Sequence, residues 1–440
     1  MVWLIAAGVV SLVGYIAYAA SPESFLAFSR LAPLWVVLLL AYGAALRGAY
    51  GTWKFPFLGF RDSPEPRGEH RRLLVIWAGA ILFRAMLVPS APRLSDDLYR
   101  YLWDGKVLLA GVNPYRYPPT AAELGFLRDA LWPFINHPDL PTIYPPLCML
   151  FFAAVAWIAP TVLAWKSLAA LMDLLAGYAF MRALQAAGTP RARVALYLWH
   201  PLVLFEFAGN GHADVLGLLF LALAFWSWAE RKPVATGLAL GLGGMVKFLP
   251  WVALPSLWPR LRARWWLLPL VIGGFYLMFW RRGLSPLGSL GVFVAKWRGN
   301  DFLFSLFVPQ DAGEPKLHTA KMMVAVLVGL VWLATLILRR GWISTYAWTV
   351  GALFLISPVV HPWYVIWLLP VLFALPHPAW WVWSLTVFMA YEPSALYRAT
   401  GRWEESLAWK AWEVSPALTL LPMQAWLEWK AARERKSLDF

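Results

Sequence analysis

Of the 440 residues, 60% are apolar and only 14% charged, with a net charge of +14 and one cysteine. Apolar runs long enough to cross a hydrocarbon core of about 30 Å recur from Val2 almost to the C-terminus, which excludes a soluble globular enzyme. Lys and Arg gather in short loops between those runs, so membrane topology rather than nucleic acid accounts for the positive charge, and Cys148 by itself excludes an intrachain disulfide or a thiolate metal site.

The predicted fold is all-α, a polytopic transmembrane helical bundle of about 12 to 14 membrane segments. Its candidate spans are 2–20, 31–49, 73–90, 145–159, 165–186, 194–208, 213–230, 234–256, 265–280, 321–338, 343–358, 362–376, 379–396 and 415–430. The first run ends in Ala17-Tyr18-Ala19 like a signal-peptidase site, yet no basic residue precedes it, so a retained first helix is expected. Arg47, Lys54, Arg61, Arg67, Arg71 and Arg72 mark the loop after the second span as cytoplasmic. A single span then puts Asp96 and Asp97 outside. Arg339-Arg340 and the tail residues Lys430, Arg433, Arg435 and Lys436 also ask for the inside, and alternation places His361 and Glu392 outside.

The middle of the chain resists simple alternation, because Arg191 with Arg193, Arg231-Lys232 and the stretch from Arg260 to Arg264 all favour the inside. The expectation is one net crossing over 145–186 and a broken or re-entrant pair over 234–256 around Lys247-Phe248-Leu249-Pro250, which sends Gly209-Asn210-Gly211-His212-Ala213-Asp214 outside. Irregular backbone at membrane depth is tolerated where it lines a cavity. The chain is expected to form one membrane domain over 1–440, with an outer catalytic loop at 91–143 and a second outer loop at 281–320. Thirty tryptophans suit interfacial belts, a groove for an isoprenoid chain, or stacking on sugars.

The run Ser95-Asp96-Asp97-Leu98-Tyr99-Arg100-Tyr101-Leu102-Trp103-Asp104-Gly105 follows a membrane span directly. Wound as a helix from Asp97, it puts Asp97, Arg100 and Asp104 on one face and Leu98, Leu102, Gly105 and Leu109 opposite, an amphipathic helix on a membrane surface. Ser95 and Asp96 could merely cap it. A second Asp, an Arg and a third Asp on one face exceed what a cap requires, and a carboxylate placed there can deprotonate an acceptor hydroxyl.

Further along, His212 and Asp214 can be a polar pair at a helix start or functional groups in apolar surroundings. Lys247, deep in an apolar run, either snorkels to the interface or meets an anion such as a lipid-linked phosphate. His361, ahead of Pro-Trp-Tyr, can cap a helix or donate to a departing phosphate. Arg298 and Asn300, in Trp297-Arg298-Gly299-Asn300-Asp301, could clasp sugar hydroxyls or anchor a membrane-lying loop. Arg84, and Lys166 with Asp173, read as structural pairs. No Walker motif, dinucleotide fingerprint or Cys/His metal spacing appears, which removes nucleotide-driven transport and zinc hydrolysis.

The run from Ser95 to Gly105, with Asn113-Pro114-Tyr115 and Tyr144-Pro145-Pro146-Leu147, resembles the first outer loop of type C glycosyltransferases, especially the polyprenyl-phosphate-mannose-dependent mannosyltransferases. The resemblance extends through Trp199-His200-Pro201-Leu202, Gly209 to Asp214, Gly237 to Pro250 and His361-Pro362-Trp363-Tyr364. It implies a multispanning enzyme whose catalytic acid lies in that loop, where an Asp followed three and four residues later by Arg and Tyr selects Asp97, with Asp96 second. Two departures, Ala213 where Asn is frequent and His200 where Asn is common, bear on the sugar more than on the fold.

The expected activity is therefore transfer of a sugar, most simply mannose, from a polyprenyl phosphate to an acceptor hydroxyl on the periplasmic face of a bacterial inner membrane, with inversion. Asp97 is the expected general base; Arg100, Lys247 and His361 the expected phosphate contacts; Asp104, Tyr144, His212, Asp214, Arg298 and Asn300 the expected acceptor or sugar contacts. The expected partners are the lipid-linked sugar, a glycan or lipid acceptor and membrane lipids, with no nucleic acid. The resemblance implies no obligatory cofactor or metal, although Asp96 and Asp97 could share a divalent cation as hard ligands. A transporter or flippase for a lipid-linked sugar is the rival class, and it would show matching broken helices in two halves.

Overall fold

The computed structural model describes residues 1–22, 27–50, 68–261, 264–280 and 285–433. Lys54, Arg61 and Arg67 of the basic loop, Arg262, the start of the second outer loop, and Arg435 and Lys436 of the tail lie outside the described residues. Among those described, the only strand-like pairing is a parallel bridge between Gly299 and Val359, so the all-α expectation holds.

Among the described residues, four helices are long and apolar enough to cross a membrane: α1 (Val2–Ala20), α2 (Phe28–Tyr50), α6 (Val162–Ala186) and Glu314–Ile337. Between them lie α3 (Glu69–Leu87), α4 (Asp97–Leu109) and α5 (Pro146–Ile158). Several expected spans are shorter or broken. At 1.5 Å per residue, α5 and helices such as Pro233–Gly244 reach only about 20 Å. Proline sets where many of them begin, at Pro146, Pro233, Pro362 and Pro378, since in the first turn its missing N–H has no intrahelical bond to lose.

The expected span at 194–208 is a chain of short pieces. A helical turn at Ala195–Leu198 stops ahead of Pro201, and a π-turn follows over Leu204–Gly209. All of these residues are buried, which is where irregular backbone survives at membrane depth. The expected break around Lys247 is present: Pro233–Gly244 ends at two glycines, and a 3₁₀ turn at Leu249–Ala253 leads into Leu254–Leu261.

α4 lies against α5 at Gly105, where an added Cβ would sit 2.3 Å from the Phe152 carbonyl oxygen; any side chain there would push the two helices apart. Leu98 and Leu102 are buried as expected, but so are Arg100 and Asp104. Apart from Asp97, the acidic face is covered by the loop above it rather than open to water.

One expected pair is re-partnered. Asp173 on α6 accepts from Arg84 of α3, with the guanidinium nitrogens 2.6 and 2.7 Å from Oδ2. Lys166 instead donates to the carbonyls of Leu87 (2.9 Å) and Ser90 (2.5 Å), closing the end of α3. Residues 166 and 173 are two turns apart, about 10.5 Å along the axis, too far to meet.

Candidate active site

α4 starts at Asp97 with Asp96 as its N-cap residue, and Asp96 makes no side-chain cap bond. Both carboxylates are turned instead to the loop that follows α4, where the Asn136 amide donates to Asp96 Oδ1 at 2.9 Å and to Asp97 Oδ1 at 2.6 Å. The second oxygen of Asp97 faces inward, 3.5 Å from the Tyr101 hydroxyl and 3.6 Å from His212 Nδ1. Asp96 is exposed while the Asp97 side chain retains 22% exposure, so Asp97 is both recessed and reachable.

His212 arrives on a tight turn. Gly211 has φ +73°, and a Cβ there would meet Leu98 and Trp165 at 2.8 and 2.9 Å. Glycine is therefore required twice over, for the left-handed backbone and for the close approach to α4. The Trp165 indole fixes the turn by donating to the Gly211 carbonyl at 2.6 Å. Two residues on, Asp214 begins the helix Asp214–Ala229, and its Oδ1 accepts from Lys247 at 2.8 Å and from Trp367 at 2.6 Å. The Lys247 ammonium also lies 3.4 Å from the centre of the Tyr364 ring, a cation–π contact worth about 2 kcal/mol when desolvated.

Trp363 joins the two histidines. His212 stacks on it at 3.9 Å and His361 at 4.5 Å, the latter within 2° of parallel. Residues 358–360, just before His361, carry the parallel bridge to Gly299, with Gly299 N donating to Pro358 O and Val360 N to Gly299 O, both at 3.0 Å. Asp97, His212, Asp214, Lys247 and His361 thus converge from separate parts of the sequence.

The charges follow from these surroundings. Burial raises the Asp97 carboxyl above its ordinary range, offset in part by His212 and the Asn136 bond. For His212, burial alone would lower the imidazole, but the Glu206, Asp97 and Asp214 carboxylates outweigh it and hold it above its usual value. Burial, helped by Lys247 and His212, pulls His361 down to about 3, so its ring is neutral and offers one N–H.

The other expected site residues are engaged with neighbours in the fold. Arg100 donates to Asp104 at 2.9 Å and to the carbonyls of Leu140 (2.7 Å) and His137 (3.3 Å), a clamp that ties the loop after α4 back onto that helix. Tyr144 packs edge-on against Tyr101. Arg298 is bound to Asp301 and to the carbonyls of Val308 and Pro309, and Asn300 donates to Glu413. Those two belong to a separate cluster beside the site, joined to it through Gly299. Four participants gave little warning in the sequence: Asn136 in an irregular loop, the Trp363 stacking plate, the Trp367 indole, and Glu206. For Glu206 the signal existed, a lone carboxylate within an apolar run.

Residues 4–262 match the model of a family described as alpha-(1->6)-mannopyranosyltransferase, N-terminal domain. The chain belongs to this family. The matched stretch includes Asp97, His212, Asp214 and Lys247, and excludes His361. Alpha-(1->6)-mannopyranosyltransferase A of Mycobacterium tuberculosis (strain ATCC 25618 / H37Rv) is 23% identical over 349 residues, covering 67% of this chain and 64% of that protein. The match thus spans less than two thirds of that relative. Family membership agrees with the helices long and apolar enough for a multi-pass membrane protein.

Proposed function

We propose that this protein is a membrane mannosyltransferase that moves mannose from a polyprenyl phosphate to an acceptor hydroxyl, on the periplasmic side of a bacterial inner membrane. The observation that carries this reading is the convergence of a recessed carboxylate, Asp97, with a cation, Lys247, and a neutral imidazole, His361, in a chain of the alpha-(1->6)-mannopyranosyltransferase family. A base on one side and cationic or N–H donors on the other are what displacement of a sugar from a phosphate requires.

In the proposed reaction the acceptor oxygen attacks the anomeric carbon while its proton passes to Asp97. The bond from that carbon to the phosphate oxygen breaks, and the electron pair stays on the phosphate. Attack opposite the leaving group inverts the anomeric centre. Lys247 retains N–H groups beyond its bond to Asp214, and with the His361 N–H these stabilise charge developing on the leaving phosphate, a contribution that grows where water is excluded. Arg100, committed to Asp104 and two carbonyls, acts by holding the outer loop in place. Asp96 and Asp97 already share the Asn136 amide, and the reaction proposed needs no obligatory metal.

The test is to incubate purified protein with labelled polyprenyl-phosphate mannose, the pentose and other hexose analogues, and a panel of glycan and lipid acceptors. Mannose transfer with inverted anomeric configuration is expected. Transfer of a different sugar would replace the donor assignment, and vesicle translocation of the lipid without transfer from any carrier would replace the enzyme by a flippase.

A further inference from the structure

The π-turn over Leu204–Gly209 carries a carboxylate that the reaction above does not use. Glu206 is fully buried, and an isolated carboxylate in an apolar interior is costly unless its oxygens are engaged. The Tyr391 hydroxyl donates to Oε1. Oε2 accepts from the Asn210 amide at 3.2 Å and lies 3.2 Å from His212 Nε2, an ion-pair contact rather than an aligned hydrogen bond. On the far edge of the same ring, His212 Nδ1 faces Asp97 Oδ2 at 3.6 Å and the Tyr101 hydroxyl at 3.5 Å.

The order is carboxylate, imidazole, carboxylate, with the ring laid flat on Trp363. The backbone supports it. The widened turn lets the His212 amide donate to the Glu206 carbonyl at 3.0 Å, so the two side chains leave the same loop. π-turns inside helices recur at functional sites. Asn210 also accepts from the Leu94 amide at 3.1 Å, so Glu206 steadies the segment from which α4 and Asp97 emerge.

Resting on the reading of Asp97 as general base, we propose that Glu206 is a positioning residue that holds His212 as an imidazolium beside Asp97, keeping that carboxylate ionised and oriented toward the acceptor hydroxyl. His212 is faced by Asp97 and Tyr101 from α4, by Glu206 from the π-turn and by Asp214 from the start of its own helix; His361 lies across Trp363 and Lys247 beyond Asp214. Of the carboxylates, Glu206 alone is fully buried. Removing its charge leaves the imidazolium dependent on Asp97, the group it is meant to assist.

The experiment uses the full chain in nanodiscs. Nitrogen-15 spectra of the seven histidines, with His212 identified by its absence in His212→Gln, report the ring's charge directly. In Glu206→Gln, which keeps partners for Tyr391 and Asn210, the His212 titration moves down by about one pH unit or more. Mannose transfer at pH 7.5 falls about tenfold with donor KM within about twofold, and the acid limb of kcat/KM moves up. Unchanged His212 titration and an unchanged rate profile would overturn the proposal. Should Glu206→Gln not fold, Glu206→Asp decides: the shorter side chain draws the carboxylate back from His212 Nε2 and moves the His212 titration down, and no movement refutes the link. If the parent protein transfers no mannose, the spectra still test the Glu206–His212 pair while the functional reading falls separately.

Discussion

The substitution Asp97→Asn exchanges one oxygen for an NH₂ and separates chemistry from architecture. The new amide can still accept from Asn136 at the position of Oδ1 and present its NH₂ to the Tyr101 hydroxyl oxygen, so the contacts at 2.6 and 3.5 Å retain partners, while the charge contact to His212 at 3.6 Å is lost. What disappears is the capacity to take a proton. General-base catalysis contributes about 10²- to 10⁴-fold, so turnover should fall by that factor, about 2.7 to 5.5 kcal/mol in the barrier, with donor binding little changed. Stability should move the other way. Burial raises the Asp97 carboxyl in the folded protein above its unfolded value, so its contribution is fully present below the unfolded pKa and is lost as pH rises through the folded one. At pH 8 the ionised side chain is therefore a cost that the neutral amide removes, and the variant should melt at or above the parent's temperature, with the advantage shrinking in acid. Initial rates of transfer from labelled polyprenyl-phosphate mannose, donor titration and melting curves at pH 8 and pH 5 supply the three readouts. Turnover within about threefold of the parent would refute the base assignment, and an equal loss of donor affinity would make Asp97 a binding group instead.

Lys247→Met keeps the apolar stem and should weaken polyprenyl-phosphate mannose and free polyprenyl phosphate alike, by about 2 to 5 kcal/mol; equal binding of both by a folded variant would leave Lys247 as a partner of Asp214 only. His361→Ala should depress kcat more than donor affinity, measured by single-turnover rates against titration. Arg100→Lys cannot reproduce the contacts to Asp104, Leu140 and His137 and should cost about 2 kcal/mol, seen as faster limited proteolysis within 110–142; a selective rise in donor KM with an intact loop would return Arg100 to the phosphate. A cysteine at exposed position 96, in a Cys148→Ala background, should react with a membrane-impermeant maleimide from the periplasmic side, and labelling only after the inner membrane is permeabilised would reverse the topology.

Much of the architecture was legible in the residues. Hydropathy and charge sum over neighbours in sequence, so the membrane helices, the amphipathic helix beginning at Asp97 and the interruption at Lys247 could all be read locally. So could the candidacy of Asp97, His212, Lys247 and His361, because charge or imidazole in apolar surroundings is costly wherever the chain runs. Partner choice could not. Asp173 takes Arg84 rather than Lys166 because two helical turns separate one pair while helix packing brings the other together. Arg100 turns into the loop because the carbonyls of His137 and Leu140 reach it across a fold in irregular backbone. Gly211 docks His212 on α4 only once Leu98 and Trp165 stand in its path, and Glu206 meets His212 only because a π-turn places both on one loop. Local chemistry in the sequence determined which side chains could not sit idle; the packing of helices, which depends on contacts between residues far apart in the chain, decided which of them face one another.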